Sequence, residues 1–454
     1  MELLARMGVS IAANTVNNAV KNLSKEAQSG MQKLGQTFLA SYAYDNLDID
    51  LQHTVPTVEK PQDTLIHITS GTMLPLLHGV TLADLDCSDE LWKLYHRNPE
   101  VQDLPSIPFY NLLDIYPEDP DNLGMTRRDR FNAWKYLSDL VNFGPQYFRS
   151  FQRKLGNPET VNTIPTEKTS QMPLRTVDVS PSTPAGNAEA LKAFFQQTGV
   201  GDPSDDNKVK ALQNHVILIF GDLLTGQHVR SLMESRSVEA TPWRRMQFVV
   251  FVMGLFHLKM ACADAIWRIF IHHKNCDVDA NSLMAHVSQI RPRETGKIQS
   301  KPGFRRMHEV IQHVGLVARL DVWRIEVSKQ DPGFANLEAF AESKPTWMDL
   351  QKIAYQIVQR EAEFDISRVR EHDNKTRDKQ SENMHLRRRY FLLYEEMSYA
   401  MNFGDIGRVE TLFVPWIYIF LGCGKHKYAA EMRRYLENIH FVYPKRLRYF
   451  SKNI

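Results

Sequence analysis

Two aspartates stand where a carboxylate needs a partner. Asp222 closes the run His215 to Asp222, HVILIFGD, whose unbroken apolar stretch reads as a strand covered on both faces. An acid there is destabilising unless it is paired, hydrogen-bonded or bound to a cation, and Gly221 before it permits close backbone approach. Asp45 lies in the strand-like stretch FLASYAYDNLDIDL that starts at Phe38. Strand alternation groups it with Leu39, Ala43, Leu47 and Ile49 and sets Asp48 and Asp50 on the other side, so Asp45 is the aspartate of this stretch expected to be buried. Two such acids on adjacent strands would hold one or two Mg2+ or Mn2+ ions, which activate water and steady the leaving oxygen in phosphodiester cleavage. A third acid, usually from a helix, completes such a site. The same residues also have local uses: Asp222 as the cap of a following helix, Asp45 as the start of a turn with Asn46.

Other chemistry is less supported. The chain has no GxxxxGK[ST], no GxGxxG after a strand, no GxSxG and no HExxH, which argues against P-loop nucleotide binding, serine hydrolysis and zincin chemistry. His257, Cys262, His272, His273 and Cys276 lie close in sequence, but only His272, His273 and Cys276 approach the spacing of a zinc site. Basic residues gather between Lys425 and Ile454, where eight Lys or Arg are interleaved with Tyr443, Tyr449 and Phe450, and again in HLRRRY at 385–390. Either patch could meet phosphate and stack on bases; a solvated helix face gives the same pattern.

The elements that must position the aspartates follow from periodicity. Residues 1–36 read as helix, ending in a candidate helix-turn-helix remnant with Asn14, Asn17, Asn18 and Lys21 outward, or a lead helix packed on the core. Phe38 onward and Thr64 to Thr69 read as two pairing strands. Residues 157–187, rich in Pro, Ser and Thr, read as a long strap. The apolar run at 215–222 should sit inside the sheet, and Met246 to Phe256 reads as a further buried strand leading into a helix. Periodic apolar residues from Phe304 to Phe364, and again from Met384 to Phe403, read as several helices, and Ser367 to Arg389 reads as a charged, exposed stretch. The expected fold is α+β or α/β, mostly helical, with a small mixed sheet. Its expected segments are an N-terminal helical piece (1–36), a strand-bearing core (37–270), a helical insertion (271–425) and a C-terminal helix with a basic tail (426–454).

A chain of 454 residues with 43% hydrophobic and 24% charged residues can bury its cores without staples. A net charge of +2 does not by itself mark a nucleic-acid binder. Four scattered cysteines suit a reducing compartment, and the apolar runs Phe248 to Phe256 and Leu412 to Cys423 fall short of the roughly 18 to 20 residues of a membrane span. The N-terminus lacks the pattern of a secretory leader, so an intracellular setting is expected.

The segments YDNLDIDL with DTLIHITSGTM, FGDLLTGQHV, GLFHLKMACADAIW, and NFGDIGRVE with GKHKYAAEM occur in that order. Together they resemble an uncharacterised family abundant in mushroom-forming fungi, whose members carry a GDxLT segment and are filed as a domain of unknown function. The order of elements is also similar to the RNase H-like core of cut-and-paste transposases, often interrupted by a helical insertion. That resemblance implies a transposon-derived, Mg2+- or Mn2+-dependent DNA-cleaving or strand-transfer core, or an inactive DNA-binding or protein-interaction scaffold of the same origin, with a nuclear location. It places the first acid on Asp45, the second on Asp222 and the third on Glu431, with Asp264 as the other position for the third. It also aligns Phe256-His257 with a CxxH element in which Gly254 occupies the cysteine position.

Overall fold

The computed structural model describes residues 5–51, 64–101, 106–272, 279–364 and 377–452. It divides into two compact units, one made of Met1–Pro108, Pro165–His257 and Arg434–Ile454, the other of Phe109–Ile164 and Leu258–Arg433. Strands β1 (Ala40–Leu51), β2 (Thr64–Pro75), β3 (Met172–Pro173), β4 (Ile217–Gly221) and β5 (Val249–Met253) all belong to the first unit. Principal helices, in chain order, are α1 (Ala13–Gly35), α2 (Arg127–Phe143), α3 (Pro184–Gln197), α4 (Leu223–Ser235), α5 (Leu255–Phe270) and α6 (Gly303–Gln330). They continue with α7 (Trp347–Glu363), α8 (Lys379–Asn402), α9 (Ile406–Gly422), α10 (His426–Glu437) and α11 (Lys445–Lys452). The fold is thus α+β and predominantly helical, as the sequence pattern predicts.

In the first unit the strands form one mixed sheet in the order β3-β2-β1-β4-β5. β2 runs antiparallel to both β1 and β3, whereas β1, β4 and β5 are parallel. The apolar run ending at Asp222 does lie inside the sheet, between β1 and β5, where both faces are covered. On one face Tyr42, Tyr44, Ile217, Ile219 and Val249 pack against Leu191, Phe194 and Phe195 of α3 and Val229 and Leu232 of α4. On the other, Val216, Leu218, Val250 and Val252 meet Leu85, Cys87 and Leu447 of α11. Alternate residues of β4 and β5 therefore serve two cores, which is why these strands read as continuous apolar runs rather than alternating ones. Helix α1 departs from the expectation of a packed lead helix: Asn14 to Ala27 are exposed, its buried residues are Met31 and Gly35 in the last turns, and Arg175 donates to Ser24 Oγ and Gln28 Oε1.

Among the described residues, the regular elements of the second unit are all helices. Its apolar core joins Tyr136, Leu137 and Leu140 of α2 with Trp323 and Val327 of α6 and Leu350, Ile353 and Ile357 of α7. Residues 109–164, inside the stretch read from sequence as the strand-bearing core, belong here. Helices α2 and α7 open with reciprocal capping boxes, Thr126 with Asp129 and Thr346 with Asp349, which satisfy N–H groups that a helix start leaves unpaired. Among the described residues no helix is long and apolar enough to cross a membrane.

Candidate functional site

Because β1, β4 and β5 are parallel, their C-terminal ends lie at the same edge of the sheet. Tyr42 pairs with Ile219 and Ala43 with Phe220, while Gly221 pairs with Met253. Asp45 lies two residues past the part of β1 that pairs with β4, Asp222 directly follows β4, and His257 lies in the first turn of α5, which follows β5. His257 Nε2 is 3.8 Å from Asp45 Oδ2, and the Asp45 side chain also accepts a hydrogen bond from the Asn46 backbone N–H at 2.8 Å. Asp45 is not buried as its alternation suggested: its side chain is 55% exposed. The reason lies in the sheet, since β4 pairs with β1 only at Tyr42 and Ala43, and from Asp45 onward β1 has β2 as its paired neighbour. Leu47 and Ile49, on the same face, are exposed with it.

Asp222 is half-buried and serves as the N-cap of α4, its Oδ1 accepting from the Thr225 N–H at 2.7 Å. The local use of the residue considered from sequence is therefore realised. Next to it, the Tyr44 hydroxyl donates to Asn187 Oδ1 at 2.7 Å, and the Tyr42 hydroxyl meets Thr198 Oγ1 at 2.7 Å. Burial pushes the Tyr42 phenol up to about 12, its hydrogen bond with Thr198 opposing the rise. Burial, and then the negative charge of Asp222, hold the Tyr44 phenol well above the ordinary tyrosine range. Both tyrosines stay neutral and act as hydrogen-bonded struts from β1 to the two ends of α3, Tyr44 to its first turn and Tyr42 to its C-cap.

Glycine fits two strand ends closely together. The Gly254 N–H donates to the Gly221 carbonyl at 3.0 Å. A Cβ on Gly254 would sit 3.2 Å from that oxygen and 3.5 Å from His257 Nδ1, and one on Gly221 would come within 2.6 Å of Thr225 Cγ2. The close approach read from Gly221 is thus real, and a cysteine at position 254 would press on the strand end.

The remaining sequence candidates fall elsewhere. Glu431, on α10, belongs to the second unit just before the chain re-enters the first, and it is buried. Asp264 on α5 is bound by Lys425 Nζ and Arg268 Nε, each at 2.7 Å. Burial pushes its carboxyl up, but the two cations outweigh this and hold it below the ordinary aspartate value. Among the described residues, no group of three or more His, Cys, Asp or Glu is arranged to hold a metal ion. Of the zinc candidates, His273 and Cys276 lie outside the described residues, and His272 packs against Trp267 with ring centroids 4.5 Å apart.

HLRRRY is largely an internal fixture, whereas Lys427, Arg433, Arg434, Lys445 and Arg446 of the C-terminal patch are exposed. In HLRRRY, His385 and Arg388 bind Glu361 at 2.8 and 2.7 Å, Arg387 is buried and donates to the Asn281 carbonyl, and Arg389 donates to the Glu361 carbonyl. The described part of the stretch read as charged and exposed, from Arg377 to Arg389, therefore contains buried members, Glu382 among them. In the C-terminal tail, Arg446 pairs with Glu90 at 3.0 Å and Tyr443 packs against the sheet core. The side chains of Tyr449 and Phe450 lie outside the described residues.

Sequence reading missed two buried ionic networks in the helical unit. Arg319 binds Asp139 at 2.6 Å and Glu395 at 2.8 Å, and Lys135 binds the same two acids. Within NFGDIGRVE, Asp405 accepts from the Val161 and Asn162 N–H groups at 3.1 and 3.0 Å and caps α9, while Arg408 donates to Glu396 at 2.6 Å and to the Glu159 carbonyl. Gly407 allows this contact, since a Cβ there would lie 2.6 Å from Asn162 Cβ. The signal was a charged motif with no exposed periodicity, and its meaning depended on a partner segment some 240 residues away.

Comparison with curated proteins and with solved structures finds no match to this chain. A family model does match, over residues 106–454, a span that takes in β3, β4, β5, Asp222, His257 and the helical unit but not β1 or Asp45. The chain belongs to the family of unknown function DUF6589.

Proposed function

We propose that the first unit is an RNase H-like nucleic-acid-processing core, and that Asp45 and Asp222 are ligand positions of a metal-dependent DNA nuclease or strand-transferase of transposon origin. The observation that carries this reading is the sheet: order β3-β2-β1-β4-β5 with only β2 reversed among the long strands, an acid on β1 and an acid at the end of neighbouring β4. A helix follows each of β4 and β5, and the chain leaves after β5 into a helical unit and returns through α10, the helix that carries Glu431. Carboxylate oxygens are the hard ligands that Mg2+ and Mn2+ prefer. Bound there, such an ion would supply water activation and charge stabilisation at phosphate.

A second reading is favoured by a specific observation. Asp222 is engaged as a helix cap, and the described residues assemble no group of three metal ligands. A non-catalytic scaffold of the same descent needs the fold but not the complete acid set. Incubation of supercoiled plasmid with the purified protein and Mg2+ or Mn2+, beside Asp222→Asn and an EDTA control, separates the two. Metal-dependent nicking lost in the variant supports the nuclease; DNA binding without nicking supports the scaffold.

A further inference from the structure

Helix α1 leaves most of its length uncovered, and it has little of its own to hold it helical there. From Asn14 to Ala27 every residue is exposed among the described residues. Its N-cap, Ala12, makes no side-chain hydrogen bond, and the first turn carries no acid to complement the helix dipole. Asn14, Thr15, Val16, Asn17, Asn18 and Val20 are weak helix formers. Lys21 and Lys25, one turn apart, repel each other, and no opposite charges stand three or four residues apart in this stretch. A helix of this length and composition is marginal in water unless something packs against it.

The apolar residues of the same stretch point to what packs there. Ala13, Val16, Val20, Leu23 and Ala27 follow at intervals of three, four, three and four, the d and a positions of a heptad repeat with Val20 and Ala27 at a and Leu23 at d. Val16, Val20 and Leu23 are 39%, 59% and 64% exposed. Arg175 reaches the helix from its flank, at Ser24 and Gln28, and leaves this stripe open. A β-branched residue at a with Leu at d is the combination that favours two parallel strands. The e and g positions beside the stripe are Asn17, Ser24, Ala19 and Glu26, so stripe-to-stripe pairing of two identical helices faces no like charges across the seam. Lys21 and Lys25 lie on the opposite side of the helix. They are therefore misplaced to hold an anionic lipid surface or a nucleic acid against the apolar stripe. An uncharged stripe of this register is matched best by a second copy of itself.

We propose that α1 is a dimerisation arm, in which the stripe from Ala13 to Ala27 pairs with the same stripe of a second copy as a short, parallel, two-stranded coiled coil. Two heptads give a seam about 22 Å long, which buries less than the roughly 1,200 Å2 of a standard interface. Association is accordingly weak and reversible. The pairing uses α1 alone and does not depend on the nuclease reading.

The test is sedimentation equilibrium on the full chain from micromolar to submillimolar concentration, with circular dichroism on the same samples. The expected result is a reversible monomer–dimer equilibrium whose helix content rises with the dimer fraction. Three variants at exposed positions accompany it. Leu23→Glu sets like charges across the seam and should weaken dimerisation by about 100-fold or more, with the melting temperature of the dilute monomer unchanged. Ala27→Ile fills an a position and should tighten the dimer by about tenfold. Asn18→Asp puts the same sign of charge on the far face and should leave the equilibrium as in the parent. The proposal is overturned by a chain that stays monomeric over the whole range, by a dimer that Leu23→Glu does not weaken or Ala27→Ile does not tighten, or by Asn18→Asp weakening it as much as Leu23→Glu does.

Discussion

His257 Nε2 and Asp45 Oδ2 lie 3.8 Å apart, one at the start of the helix after β5 and the other on β1, so two residues more than 200 positions apart share the C-terminal edge of the sheet. If Asp45 ligates a metal, His257 is placed to orient its carboxylate. His257→Gln should then lower metal-dependent nicking about 10- to 100-fold, the range for residues that orient a ligand, and weaken Mn2+ binding followed by paramagnetic relaxation. Unchanged Mn2+ affinity would remove His257 from the site.

Asp222 has two separable roles. Asn caps helices about as well as Asp, so Asp222→Asn should keep the melting temperature of the parent while abolishing any Mg2+-dependent cleavage. Asp222→Ala should lose about 0.5–2 kcal/mol of stability in urea titration as the Thr225 N–H loses its acceptor. A stable Ala variant would show that the cap is dispensable.

Gly226 on α4 is packed against β5: a Cβ there would lie 2.3 Å from the Phe251 ring. Gly226→Ala should therefore destabilise the strand-bearing unit by about 1–3 kcal/mol, the usual cost of overpacking, despite alanine's better helix propensity. Chemical denaturation measures it, and a stabilised variant would mean that the ring swings aside freely.

Asp405 joins the segment at Val161 and Asn162 to α9 and to Arg408, and both Asp405 and Arg408 are buried. Removing one partner of a buried ionic cluster leaves the others unpaired, so Asp405→Ala should cost about 3–5 kcal/mol. Hydrogen exchange should show the loss first at the Val161 and Asn162 amides.

Stability should fall on acidification in two steps. Burial holds His286 and His308 below the ordinary histidine value of 6.5, with Arg387 and Lys259 respectively adding to the effect. The unfolded chain therefore takes up these protons first, and stability declines as pH drops below about 6.5 toward the folded-state values. Glu361 is pushed up by burial but brought below its ordinary 4.5 by His385 and Arg388, so its contribution is present above about pH 4.5 and is lost as pH falls through its folded value. Urea midpoints across pH 4 to 7 should show both steps, the upper one flattened in a His286→Asn, His308→Asn double variant.

The sequence alone determined the class of fold and four of the five strands that build the sheet, β3 falling in the stretch that reads as a strap. An apolar run bounded by polar residues, as at Ile217–Gly221, can be stable only where both faces are covered, and helical spacing dominates the rest of the chain. It also determined that Asp222 ends a buried strand. Tertiary structure alone decided that Asp45 is exposed, because alternation fixes which face a residue takes but not whether any layer covers that face. The same holds for HLRRRY and NFGDIGRVE: a run of charge looks identical on a solvated surface and in a buried network until Glu361 or Asn162 is brought beside it. Those partners come from distant segments, and the desolvation that distinguishes the two cases exists only once the helices have packed.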